Sequence, residues 1–114
     1  MRERPNIPIV CGRNKKRSRT AEFIFKNDNR INIRSAGLSP KSNKKLSEND
    51  LCWSDLVLVM EKEQKVKIRD LYNHQKLPPI EVLFIPDVYE FMDKELIRLL
   101  KDGVNDFLRL FYKI

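Results

Sequence analysis

Cys11, Arg17 and Ser18 stand in the run Cys11-Gly12-Arg13-Asn14-Lys15-Lys16-Arg17-Ser18, with a short apolar stretch before it and a helix-like pattern after it. Five residues between the cysteine and the arginine let the backbone curl so that successive N–H groups point inward. The positive end of a helix starting near Ser18 would face the same point. An anion held there would sit above the Cys11 sulfur. Arg17 can offer two parallel N–H donors to two phosphoryl oxygens, a fork that lysine lacks. Cations and a helix N-terminus also favour thiolate over thiol, so the nucleophile would need no separate base. The chemistry implied is binding of a phosphoryl group directly over its attacking sulfur.

Composition narrows the classes. A chain of 114 residues that is 41% hydrophobic fits one domain, spanning 1–114. Its longest apolar runs are about six residues, far from the roughly 20 that span a bilayer, and no apolar leader opens the chain; no membrane is expected, and a cytoplasmic location is. Two cysteines, Cys11 and Cys52, make no disulfide framework and suit a reducing compartment. The net charge of +7 divides into +10 over residues 1–45 and −3 over 46–114, so the basic half is the half with Cys11. That asymmetry points to an anionic partner. A nucleic-acid module, with Arg13, Lys15, Lys16, Arg17 and Arg19 tracking a backbone, would use the same run. It would normally interleave aromatic residues for stacking, and none is present there.

The stretch from Val10 to Glu22 resembles the signature loop of low-molecular-weight protein tyrosine phosphatases, including Asn14 and the Ala21-Glu22 that follows. Further matches follow in order: Ser35-Ala36-Gly37, the run from Asp55 to Met60, and Ile85-Pro86-Asp87-Val88-Tyr89. This resemblance implies that the Cys11 thiolate attacks phosphorus, Asp87 protonates the leaving oxygen, and water releases phosphate from a cysteinyl-phosphate with Asp87 as base. Gly12, Arg13, Asn14, Lys15, Lys16, Arg17 and Ser18 would bind phosphate, Asn14 also shaping the loop and Ser18 bonding the sulfur. Tyr89 would flank the substrate, and Phe91 would do the same or pack inward. No metal or cofactor is implied; the partners would be a phosphorylated protein or small aryl phosphate, with inorganic phosphate as product or inhibitor.

Departures from the family pattern are legible too. Its general acid is usually followed by proline, whereas Val88 follows Asp87, so Asp93 stands as an alternative acid, and as a candidate helix N-cap. Only 17 residues separate Gly37 from Asp55, which shortens the expected wall of the substrate cleft and leaves a rim of Lys15, Lys16, Lys41, Lys44 and Lys45. A weakly catalytic phosphate-binding protein is a competing reading. An arsenate reductase would need more cysteines than Cys52 supplies.

The elements that must position these groups alternate. Strands are predicted over residues 6–10, 31–35, 55–60 and 80–85, and helices over 18–27, 61–72 and 93–112. Pro8 should confine the pairing of the first strand to Ile9 and Val10, or make the strand begin at the proline. Ala36-Gly37 should turn the chain, and residues 38–50 carry at most a short helix near 43–49. Pairs Glu61–Lys65 and Glu63–Lys67 should brace the middle helix. Leu96, Leu100, Val104, Phe107, Leu108 and Phe111 form the buried stripe of the last one. Cys52 and Trp53 read as core, and His74 as solvated. The alternation predicts a parallel α/β sheet with helices on both faces and ligands beyond the carboxyl ends of its strands. The resemblance implies a three-layer α/β/α fold with strand order 2-1-3-4.

Overall fold

In the computed structural model, which describes residues 4–114, Ile7, Ile9 and Val10 lie in a strand, β1 (Asn6–Cys11), that is buried along its whole length. Residues 1–3, part of the basic half, lie outside the described residues. A strand covered on both faces must be apolar on both. β1 pairs in parallel with β2 (Asn32–Gly37) over its full length, and with β3 (Val57–Val59) at Ile9–Leu58 and Val10–Val59. β3 in turn pairs with β4 (Ile80–Val82). The parallel order β2-β1-β3-β4 is the expected one.

Pro8 divides its expectation in two. Asn6 O accepts from Asp55 N (2.8 Å) while Pro5 O and Cys11 O accept from Asn32 N and Leu38 N on the β2 side. Even-numbered positions of β1 therefore face β3, and the donor that proline lacks would have pointed there. Toward β3 pairing is indeed confined to Ile9 and Val10; toward β2 it runs unbroken from Asn6 to Cys11, correcting the expected start.

Alternation along β1 sends Ile7, Ile9 and Cys11 to one face of the sheet and Val10 to the other. The first face is covered by α1 (Arg17–Phe25), through Ala21 and Phe25, and by α4 (Lys94–Tyr112), through Leu96, Leu100, Val104 and Leu108. α2 (Glu48–Trp53) and α3 (Lys62–Leu71) cover the second through Leu51 and Ile68. Phe107 is half-buried and Phe111 exposed, so the α4 stripe is narrower than expected. Gly103 is more than a tolerated break: a Cβ there would come within 2.8 Å of Leu83 Cδ2, so its absence lets α4 lie close on the chain after β4.

Several boundaries move for identifiable reasons. Ala36 and Gly37 extend β2 instead of turning the chain, because Val10 and Cys11 offer them partners. The short helix begins later than expected, at Glu48, since Ser47 and Asp50 cap it reciprocally. That start turns Leu51 inward and leaves Cys52 exposed and Trp53 half-buried with Arg34 stacked 3.9 Å from its ring, so neither is the core residue expected. β4 stops at Val82 because Phe84 takes a left-handed φ of 58°. His74 is exposed and meets Glu48 at 2.9 Å. Among the described residues no helix is long and apolar enough to cross a membrane.

Candidate functional site

β1 delivers Cys11 to the carboxyl edge of the sheet, and the next residues curl before α1 begins. Cys11 Sγ lies 3.0 Å from Ser18 Oγ and 3.2 Å from the Asn14 amide. Ser18 has one hydroxyl proton and two acceptors for it, the sulfur and Asn14 Oδ1 at 2.8 Å. A thiolate would draw that proton; a thiol would donate to Oγ instead. Asn14 itself sits at φ 55°, a left-handed shape asparagine tolerates, and is buried.

The curl is fixed from outside by the segment after β2. Cys11 O accepts from Leu38 N (3.1 Å), Gly12 O from Ser39 N (2.8 Å), Arg13 O from Asn43 N (3.3 Å) and Asn14 O from Asn43 Nδ2 (3.2 Å). Successive carbonyls are thereby held outward, leaving loop amides for the other side. Gly37 permits this clasp: a Cβ there would lie 2.8 Å from Asn14 N and collide with Ser42. α1 starts with no side-chain cap at Lys16, so its first amides remain for an anion. The cavity above the sulfur measures ≈ 710 Å³, and Cys11, Arg17, Glu61, Gln64 and Asp87 are in its wall. Gly12, Arg13, Lys15 and Lys16 line it as well, so of the expected phosphate-binding residues only Asn14 and Ser18 lie beneath it.

Arg17 is 4% exposed, and its Nη1 donates to Ile85 O (2.7 Å) and Glu61 Oε2 (2.8 Å). On the other side of the guanidinium, Nε is 3.7 Å from Asp87 Oδ1. Asp87 is largely exposed, with two-thirds of its side-chain surface open (66%). Asp93, the alternative acid, accepts from Glu95 N (2.8 Å) and Leu96 N (3.4 Å) as the N-cap of α4, and does not line the cavity. The loop between them is tied to the α1 region by Lys16–Glu90 (3.2 Å) and by Met92 N donating to Thr20 Oγ1 (3.0 Å).

Neither aromatic candidate lines the cavity. Tyr89 is half-buried against the α1/α4 core, while Phe91 packs edge-on to Phe23 (centroids 6.2 Å apart, 81°) beneath Arg19. Tyr89 thus has apolar cover, whereas Phe91 stays exposed outside the lining. Lys41, Lys44 and Lys45 are exposed but stand outside the lining. Glu61 went unrecognised in the sequence, where it was paired with Lys65. It precedes α3 as N-cap and turns to Arg17, while Gln64 Oε1 accepts from Met60 N and Glu61 N. Its signal was available: Glu61 follows β3 as Cys11 ends β1, at the edge where parallel sheets bind ligands.

No family model and no curated protein matches the sequence. Solved structures do. SP-PTP, a low molecular weight protein tyrosine phosphatase from Streptococcus pyogenes, superposes with a TM-score of 0.78 at 20% identity, covering 94% of this chain and 93% of that one. For the tyrosine phosphatase Wzb from Escherichia coli K30, in complex with phosphate, the values are 0.74, 18%, 94% and 98%. For the YwlE arginine phosphatase from Geobacillus stearothermophilus they are 0.66, 19%, 93% and 94%. The chain thus has the fold of the low-molecular-weight protein tyrosine phosphatases, as its motifs led one to expect.

Proposed function

We propose that the chain is a phosphomonoester hydrolase working through a cysteinyl-phosphate on Cys11. The Cys11 thiolate attacks phosphorus, the bond to the leaving oxygen breaks, and Asp87 gives that oxygen a proton. Water then attacks phosphorus while losing a proton to the Asp87 carboxylate, the S–P bond breaks, and inorganic phosphate and the Cys11 thiolate are released. Loop amides from Gly12 to Ser18 and the Arg17 guanidinium hold the equatorial oxygens through both transition states, where negative charge is greatest.

The observation that carries this reading is the environment of the sulfur. It lies at the foot of an open cavity, with the Asn14 amide donating to it, Ser18 Oγ 3.0 Å away and Arg17 held by Glu61 and Ile85. Asp87 is the carboxylate for the acid role because it lines the same cavity, whereas Asp93 is engaged in capping. Substrates would be phosphorylated proteins or small aryl phosphates, with phosphate as product. A nucleic-acid track fits less well: Arg17 is buried, Lys16 is paired to Glu90 and Arg19 lies over Phe91.

The test is a quenched single turnover of p-nitrophenyl phosphate followed by mass analysis of the intact chain and its peptides. A phosphate adduct on Cys11, formed in the presence of chelator, is the expected result. Turnover without an adduct at any quench time would overturn the covalent route.

A further inference from the structure

We propose that the free edge of β4 and the groove beside it bind an extended acidic segment of a protein partner, which adds to the sheet as a further strand. β4 ends the sheet. Pro79 O accepts from Val57 N (2.9 Å) and Leu83 N donates to Val59 O (2.8 Å), so odd-numbered positions face β3. The N–H and C=O of Val82, between them, face away from the sheet, the condition for strand addition.

A groove of ≈ 440 Å³ lies in front of this edge. It touches both α3 and α4, and since these helices cover opposite faces of the sheet, it must run across the β4 edge. Its apolar part is Val66, Val82, Phe84 and Phe107. Phe84 is 74% exposed at a positive φ, a shape unfavourable for a bulky residue, and here it turns a ring into water. β4 is short and Pro78 and Pro79 blunt its start, so the exposed ring of Phe84 stands at the end of the edge that is left open.

Charge selects the occupant. Lys62, Lys65 and Arg69 are spaced to share one face of α3, all line the groove, and none joins an ion pair among the described residues. Glu81 is the one carboxylate in that lining. A second copy of this chain would bring two basic walls together, which like-charge repulsion disfavours. An acidic strand instead sets alternate carboxylates against α3 and an apolar side chain against Phe84 and Phe107. The proposal does not depend on the chemistry at Cys11.

The probe is a labelled synthetic peptide alternating Glu and Val around one Phe, with a counterpart carrying Lys for Glu, titrated into the full chain by anisotropy and by amide NMR. We expect saturable binding of the acidic peptide, shifts at Val82, Phe84 and α3, and weakening as salt rises. Val82→Pro should weaken binding at least about tenfold, since it removes an outward donor without touching the β3 ladder. Combined Lys62→Glu, Lys65→Glu and Arg69→Glu should do likewise, and decides the matter if the proline variant does not fold. Equal binding of the two peptides, shifts confined to the Cys11 loop, no response to the charge reversal, or concentration-dependent dimerisation through β4 would each overturn the proposal.

Discussion

Two loops leave the carboxyl edge of the sheet on either side of β3, and they are built in opposite ways. In the loop after β1, Asn14 is buried, and the carbonyls from Cys11 to Asn14 each have a partner in residues 38–43. In the loop after β4, Asp87 and Val88 are exposed, and the ties to the α1 region run through Arg17, Lys16 and Thr20. Oriented donors stabilise developing charge best when they need not reorganise, whereas a proton donor must follow leaving groups of different shape. The contrast separates a clasped loop from one tied at a few points, the cradle and the acid-bearing arm of the proposed mechanism, with Arg17 joining them through Ile85 O.

The cradle should break hardest at its nucleophile. Cys11→Ser should lower turnover at least about 10,000-fold while inorganic phosphate still binds, measured by calorimetry, because the amides and Arg17 remain. Next comes the arm. Asp87→Asn should cost about 100- to 10,000-fold with poor leaving groups and little with p-nitrophenol, so the slope of rate against leaving-group pKa steepens. Asp93→Ala should leave that slope alone and lower stability by about 1 kcal/mol through loss of the cap. If the slope responds to position 93 instead, Asp93 and not Asp87 is the acid.

Gly37→Ala tests whether the clasp presets the cradle: forcing a Cβ against Asn14 should cost about 1–3 kcal/mol in denaturant unfolding and weaken phosphate binding. The smallest effect is a control far from both loops. Hydrogen bonding to Arg30 holds the Asp28 carboxyl below the ordinary aspartate value. A lowered folded value means the pair stabilises above the unfolded-state pKa and fades as pH falls through the folded one. Asp28→Asn should therefore remove less than about 1 kcal/mol near neutrality, flatten the acid limb of stability, and leave kcat unchanged.

The amino-acid sequence determined what is local or repetitive. The cradle was legible because its residues are contiguous: a thiol, a curl, an arginine and a helix start carry their geometry in their spacing. Apolar runs 55–60 and 80–85 revealed strands because both faces of an internal parallel sheet are buried, although their ladders proved shorter. Only the tertiary structure decided how the cradle is held. Leu38 to Asn43 read as featureless polar loop, since a serine or asparagine that clasps a distant carbonyl looks the same in sequence as one that meets water. Glu61 passed for a helix-surface partner of Lys65 until the alignment of β3 beside β1 placed Arg17 within reach. Phe91 read in sequence as either a second substrate-flanking ring or an inward-packed one; it meets Phe23 edge-on, stays exposed and lies outside the cavity lining. Hydrogen bonds between remote segments have partners only once strand register fixes which ends lie together, and no local pattern encodes that register.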